Sequence, residues 1–357
     1  MIKASAPGRI CLFGEHQDYL HLPVITAAIN LRISISGQPR RDNRFVVDLP
    51  DVNSREQFTL PVKGEALLYV NKRDYLRSVL NVLLRFGARF EGGYDCRVRG
   101  DIPINSGTSS SSALCVAWAR FLTKISSVQK PEFDDPAFIG KIAYLAEVEE
   151  FGEPGGMMDQ NASAVGGVLY QEFNEPLLLK KLPVKLGAFV LGDSQEPKDT
   201  MGVLSRVKFA VLDAIRKIQI QNKGFDLQTV APVELDAYKK IISDNQMQVL
   251  QGMILNRDIT RRALALLESQ NFDEQFFGQL LNEHHKILAG LVKISTPKIE
   301  RMLQAALKAG AYGGKINGSG GGGCMFVYAP ENPRKVAHAL RDAGGKAYLL
   351  QIGAGVL

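Results

Sequence analysis

Residues 103–114 read PINSGTSSSSAL and constrain this chain more than any other stretch. Just before them, Tyr94, Cys96 and Val98 alternate with Asp95, Arg97 and Arg99, the pattern of a strand with one buried face. Just after them an apolar helical pattern begins through Leu114, Val116, Ala117, Phe121 and Leu122. The loop between carries four consecutive serines after a Gly-Thr pair, so no large side chain keeps a ligand off the backbone. Free N–H groups and the dipole at the start of a helix favour an anion such as a phosphate. No Lys-Ser or Lys-Thr follows the glycine, which excludes a Walker phosphate loop. A phosphate held here needs its charge balanced by a metal ion or by basic residues from elsewhere.

Three other stretches bear on chemistry. In residues 6–29, strand-like pieces at 10–13 and 24–29 flank a polar insert where Glu15, His16 and Asp18 crowd together. Such a compact set suits the hydroxyls of a polyol. A metal site is the weaker reading, because no second His or Cys cluster accompanies it. In GEPGGMMDQNASAVGG, residues 152–167, Asp159 lies between a glycine-rich turn and a small-residue helix start. It is either a helix cap or a carboxylate that orients or deprotonates a hydroxyl. Glu147, Glu149 and Glu150 close an amphipathic helix predicted over 136–151, where the dipole disfavours them. A carboxylate facing a metal ion explains that placement better than a solvated acidic face. In KINGSGGGGC, residues 315–324, five glycines in six positions argue for close approach by a ligand or another backbone. A helix precedes this loop and a strand follows, the reverse of a dinucleotide fingerprint.

Periodicity predicts further helices over 73–86, 203–218, 232–250, 258–267, 274–291, 298–309 and 333–343. Residues 32–60 read as strands with turns at 38–39 and 42–43, and 169–183 as a crossing between domains. Strands at 188–191, 324–328 and 347–352 among the later helices predict a small sheet covered by helices, an α+β arrangement. A length of 357 residues predicts two domains. Lys plus Arg is 43 against 37 Asp plus Glu, and the +6 excess is spread along the chain. That argues against a nucleic-acid stripe and suits an anionic substrate. The four cysteines form no CxxC pair and read as buried thiols of a reducing compartment. No apolar run is long enough for a membrane span, and the N-terminus is too short and polar for a signal peptide. A cytoplasmic protein with neither a nucleic-acid nor a membrane partner is expected.

In their order and spacing, APGRICLFGEHQDY, PINSGTSSSSAL, GGMMDQ and KINGSGGGGC resemble the motifs of the GHMP kinases, which include galactokinase, homoserine kinase and mevalonate kinase. LLNEHHKILAGLVKISTPKIERM, residues 280–302, is similar to the segment that precedes the third motif. The resemblance spans essentially the whole chain. It implies an α+β two-domain fold: an N-terminal domain over 1–183 with a left-handed βαβ unit, a C-terminal ferredoxin-like α/β domain over 184–357, and an ATP site between them. It places Arg9 beside the transferred phosphoryl group and makes Asp159 the catalytic carboxylate, whether as base or only as orienter. It places Glu15, His16 and Asp18 on sugar hydroxyls. Ser106, Gly107, Thr108, Ser109, Ser110, Ser111 and Ser112 would wrap the ATP phosphates, with Gly318 and Gly320 completing the site. Ser111 and Glu147 would hold Mg²⁺, with Glu149 close by.

Within the family the first motif looks most like that of galactokinase, GRxNxIGEHxDY. Departures are Leu20, His21 and Leu22 in place of Asn-Gly-Gly, and Pro154, Gly155 and Gly156 in place of Asn-Cys-Gly. LGDSQEPKDT, residues 191–200, is reminiscent of mevalonate kinases. The implied function is transfer of the γ-phosphoryl group of ATP to the anomeric hydroxyl of galactose or a related sugar. A mevalonate kinase, an ATP-dependent decarboxylase of phosphorylated mevalonate and a catalytically silent sugar sensor are the other readings. A carboxylate at Asp18 would repel that of mevalonate. The implied partners are ATP, Mg²⁺ and a small sugar; a homodimer is left open.

Overall fold

The structure, a computed structural model, describes residues 1–62, 65–104, 106–197 and 200–357. Asn105 of the serine-rich loop and residues 198–199 of the 191–200 segment lie outside the described residues.

The first half is built on a long hairpin of β1 (Ile2–Phe13) and β2 (Val24–Pro39). β3 (Arg44–Leu49), β4 (Ser54–Thr59), β5 (Tyr94–Gly100), β6 (Val168–Glu172) and β7 (Leu178–Leu182) complete a seven-stranded sheet, with β1 paired to β2. β5 and β6 share the edge of β2 opposite β1. Residues 351–353 hydrogen-bond to Ala28 and Asn30, in the stretch that neither of them reaches. The 169–183 segment is therefore a hairpin of this sheet, β6 against β7, and not a crossing between domains.

Helices α1 (Tyr75–Arg85), α2 (Ser110–Ile125), α3 (Pro136–Glu147) and α4 (Met158–Val165) belong to this half. α2 is buried on most sides. Trp118, Phe121 and Leu122 are fully enclosed with Phe45, Val79 and Ile139, and the Trp118 indole donates to the Leu76 carbonyl at 2.9 Å. Each large apolar side chain so buried contributes about 1.5–3 kcal/mol. This core fixes where the first turn of α2 points. α3 stops at Glu147 rather than running to 151. A 3-10 turn, Glu149–Phe151, follows and Gly152 closes it at φ 59°.

The second half holds β8 (Phe189–Asp193), α5 (Thr200–Gln221), α6 (Asp244–Glu268), α7 (Glu274–Ile287), α8 (Pro297–Lys308), β9 (Gly313–Ile316), β10 (Cys324–Tyr328), α9 (Pro333–Asp342) and β11 (Lys346–Leu350). Its antiparallel sheet has the order β11-β8-β10-β9. Numbered within this half, that is 4-1-3-2, the ferredoxin-like order. The helices predicted over 232–250 and 258–267 form one helix, α6, preceded by a 3-10 stretch, Pro232–Tyr238. Ser243 caps α6: its hydroxyl accepts from the Gln246 N–H, and Gln246 returns the bond, so the helix starts there.

A shared core joins the halves. Ile10, Phe13 and Ile25 pack with Phe189, Phe277, Leu280 and Phe326. Among the described residues no helix is long and apolar enough to cross a membrane.

Candidate active site

The first turn of α2, the start of α4 and the 14–19 turn converge on a cleft of about 180 Å³. Arg9, His16, Asp18, Gly107, Ser109, Ser110, Ser111, Ser112, Glu147, Asp159 and Gly318 all line it, drawn together from 150 residues apart and more. Asp159 sits in the first turn of α4, where a carboxylate also suits the helix dipole. The buried Arg9 guanidinium grips it: Nε and Nη2 donate to the two carboxylate oxygens at 2.7 and 2.8 Å. The remaining Arg9 amino group donates to the Gly107 carbonyl at 2.6 Å. The Asp159 side chain keeps 26% of its surface open to the cleft, against 4% for Arg9.

Ser109 takes a left-handed conformation, φ 59°, and donates its hydroxyl to Asp159 at 2.6 Å. It stands at the N-cap of α2 without capping it, so among the described residues no side chain is bonded to the first-turn N–H groups. Ser106 and Thr108 do not line the cleft. Their hydroxyls pair at 2.9 Å and Ser106 donates to the Pro103 carbonyl, which stiffens the loop from inside. Gly320 also lies behind the surface, at φ 80°, where a Cβ would come within 2.5 Å of Ile294. Gly318 faces the cleft itself.

Asn317 is a residue that motif reading missed. It is fully buried, accepts from the Cys11 N–H at 2.9 Å and donates to the Gly107 carbonyl at 2.8 Å. One amide thus fastens the third glycine-rich loop to the first strand and to the serine-rich loop.

The Glu147 carboxylate is buried at the end of α3, where it accepts from the Gln160 amide at 2.7 Å and the nearby Ser111 and Ser112 hydroxyls favour its ionised form. Burial pushes its pKa above the usual glutamate value despite those bonds. Glu149 turns away and accepts from the Tyr144 hydroxyl at 2.5 Å. Ser111 and Glu147 therefore offer hard oxygen donors beside a buried charge that a cation would neutralise. Among the described residues no three His, Cys, Asp or Glu side chains form a metal cage. A Mg²⁺ ion typically takes one or two protein carboxylates and completes its shell with phosphate oxygens and water.

His16, at φ 62°, bridges the Tyr19 hydroxyl at 2.8 Å and the Ser319 carbonyl at 3.1 Å. Asp18 is buried, held by the Met158 N–H at 3.4 Å. Burial, then the charge of Asp159, pushes the Asp18 pKa up to about 6. A raised native pKa means that its ionisation opposes folding. The stability of the protonated form is full below the ordinary aspartate range and lost as pH rises through about 6. Asp18→Asn is therefore expected to raise the thermal midpoint at pH 8 and to leave it nearly unchanged at pH 4. A Cβ at Gly156 would lie 2.2 Å from the Asp18 carboxylate. Gly156→Ala must displace that carboxylate.

Glu15 is not brought to the cleft. It is fully buried in an ion pair with Lys315, whose ammonium also donates to the Cys11 and Ile316 carbonyls at 2.9 Å. Its geometry is that of a pin between the first turn and β9, not of a group open to a substrate. Leu20, His21 and Leu22 also point elsewhere: Leu20 and Leu22 pack with the second-half core and His21 meets the Phe173 carbonyl at 3.0 Å. Gln160, Tyr19, Tyr75, Arg73, Glu153 and Ser319 also line the cleft, although none of them is predicted as a site residue from sequence.

A second hollow of about 240 Å³ shares Tyr75, Ser110 and Ser111 with the cleft as lining. Its walls are apolar: Ile33, Leu49, Val52, Val98, Ile102, Ile104 and Leu114.

Three family models match the chain: the GHMP kinases N terminal domain over residues 74–167, the GHMP kinases C terminal over 263–346, and the galactokinase galactose-binding signature over 2–39. Human galactokinase is 28% identical, covering 99% of this chain and 91% of the relative. A mevalonate kinase from Thermococcus gammatolerans is 27% identical, covering 98% and 96%. Among solved structures, Lactococcus lactis galactokinase complexed with galactose superposes with a TM-score of 0.85 at 21% identity, over 99% of this chain and 94% of that one. Methanococcus jannaschii mevalonate kinase gives 0.75 at 18%, over 99% and 98%.

Proposed function

The chain belongs to the GHMP kinases, and from that we propose that it transfers the γ-phosphoryl group of ATP to the anomeric hydroxyl of galactose or a closely related sugar. The observation that carries this reading is the Arg9–Asp159–Ser109 contact. It sets a carboxylate, oriented from two sides, at the boundary between an uncapped helix N-terminus and the Asp18–His16 turn. The donor would lie on the first side and the acceptor on the second.

On the donor side, the apolar hollow matches a purine in size and polarity, and the cleft that shares Tyr75, Ser110 and Ser111 with it suits a triphosphate. The first-turn N–H groups of α2 would hold the phosphates. Ser111 and Glu147 fit a Mg²⁺ ion by donor chemistry and by the buried carboxylate charge. When bound, that ion neutralises phosphate charge. The protein's part in phosphoryl transfer is then positioning and electrostatics. Asp159 would accept a hydrogen bond from the acceptor hydroxyl and direct its oxygen at the γ-phosphorus. Arg9 would offset charge developing on the transferred group.

On the acceptor side, Asp18, His16 and Ser319 present hydroxyl-binding atoms. The Asp18 carboxylate favours a neutral polyol over the carboxylate of mevalonate. An ionised Asp18 accepts hydroxyl hydrogen bonds better, so the sugar KM is expected to fall as pH rises through about 6. Asp18→Asn should flatten that dependence. Gly156→Ala is expected to raise the sugar KM about tenfold or more while the ATP KM stays in place, the loss of roughly one charge-assisted hydrogen bond. The mevalonate kinase relatives, at nearly the identity of the galactokinase, favour mevalonate as the second acceptor to test. An ATP-consumption screen over galactose, other hexoses, uronic acids, heptoses and mevalonate separates the readings. Turnover with mevalonate alone would end the sugar reading, and binding of sugar without turnover would favour a sensor.

A further inference from the structure

We infer that Arg73 is the cation that takes the place of the missing phosphate-loop lysine, binding the terminal phosphates of the nucleotide. The assignment rests on the reading of the cleft as an ATP site. Four carboxylates line the cleft, Asp18, Glu147, Glu153 and Asp159, against two guanidiniums, Arg9 and Arg73. Arg9 is partly committed: Nε and both amino groups each donate once, to Asp159 and to the Gly107 carbonyl, and its charge is paired with Asp159. The carboxylates outnumber the guanidiniums, so a triphosphate entering this wall meets net like charge, which Arg73 reduces.

Arg73 is built to do so. It stands two residues before α1, in a left-handed conformation at φ 65° that is uncommon for a residue with a Cβ. The same turn carries Tyr75, which lines both the apolar hollow and the cleft, whereas Arg73 lines the cleft alone, the side on which Asp159, Ser111 and Glu147 lie. Its Nε contacts Glu153 Oε1, and among the described residues both amino groups have no acceptor. The side chain is 37% exposed and Glu153 16%. A guanidinium held by one edge, with the other edge open, can form the paired N–H···O contacts that phosphate oxygens favour. Glu153 then acts as the holder of Arg73, and its own charge is masked from the nucleotide.

Titrations of the full-length protein with ATP, ADP and AMP, each with Mg²⁺, test this. Arg73→Gln is expected to weaken ATP and ADP by about 10- to 100-fold, leaving AMP affinity and the sugar KM unchanged. Arg73→Lys should recover part of the loss. Glu153→Gln, which keeps the cation and loosens its holder, is expected to weaken ATP and ADP by less than Arg73→Gln does. Wild-type ATP affinity in Arg73→Gln overturns the assignment alone, as does an equal loss for all three nucleotides, which would mark a merely structural role. Wild-type protein that binds none of them overturns the ATP reading and this assignment with it.

Discussion

Asp159→Ala should lower kcat by about 10³-fold, within the range that a positioned proton acceptor contributes, while ATP binds within a few fold of wild type. The expectation follows from where the carboxylate stands. It touches neither the first-turn N–H groups of α2 nor the apolar hollow, so its loss leaves the donor site intact. What disappears is the acceptor for the sugar hydroxyl and the charge that holds Arg9. Asp159→Asn separates the two effects, since an amide keeps the volume and one acceptor oxygen but no charge. If Asp159 only orients the hydroxyl, the Asn variant retains measurable turnover. If it takes the proton, Asn falls as far as Ala. A kcat near wild type in the Ala variant would remove Asp159 from the reaction.

The second large effect is on stability. Lys315→Met is expected to cost about 3–5 kcal/mol, the usual penalty for breaking a buried pair and leaving one charge behind. Glu15 and Lys315 are both fully buried, and Lys315 spends its donors on Glu15 and two carbonyls. The abandoned Glu15 carboxylate would have the His284 ring 4.0 Å away. Burial, then the charge of Lys315, depresses the His284 pKa; with Lys315 gone, burial alone still opposes charging the ring. The paired variant Lys315→Met with Glu15→Gln should recover most of the loss in urea unfolding, because a neutral amide is far cheaper to bury. Lys315→Met alone costing less than about 1 kcal/mol would contradict a structural pin. A Glu15→Gln variant whose only defect is a raised sugar KM would restore Glu15 to the acceptor site.

This pair shows where sequence reading reaches and where it stops. Ser109, Ser111 and Asp159 were legible because each lies in a short stretch of small residues that opens access to the backbone; Glu147 stood out as a carboxylate where the helix dipole disfavours one, and Arg9 only through the family resemblance. Glu15 was read as a substrate group because it shares a polar turn with His16 and Asp18. Its real neighbour is 300 residues away, and nothing local distinguishes a carboxylate facing a cleft from one facing a buried lysine. Asn317 and Arg73 were missed for a related reason. One is a single amide before a glycine run and the other a single arginine before a helix, and each gains meaning only where three segments meet. At the level of fold, the long α6 was split because its polar residues interrupt the apolar pattern between 250 and 258. The strand predicted over 347–352 ends at Leu350 as β11, and residues 351–353 leave it to bond to a free stretch of the β2 edge.

The central claim is that this cleft moves a phosphoryl group from ATP to the anomeric oxygen of a sugar. Phosphorus NMR of the protein with ATP, Mg²⁺ and galactose tests it most directly. The expected spectrum gains ADP and, in equal amount, a sugar 1-phosphate resonance split by the anomeric proton, and both are absent with Asp159→Ala. No phosphorylated sugar from galactose or the related sugars, with mevalonate giving a phosphomonoester under the same conditions, would contradict it.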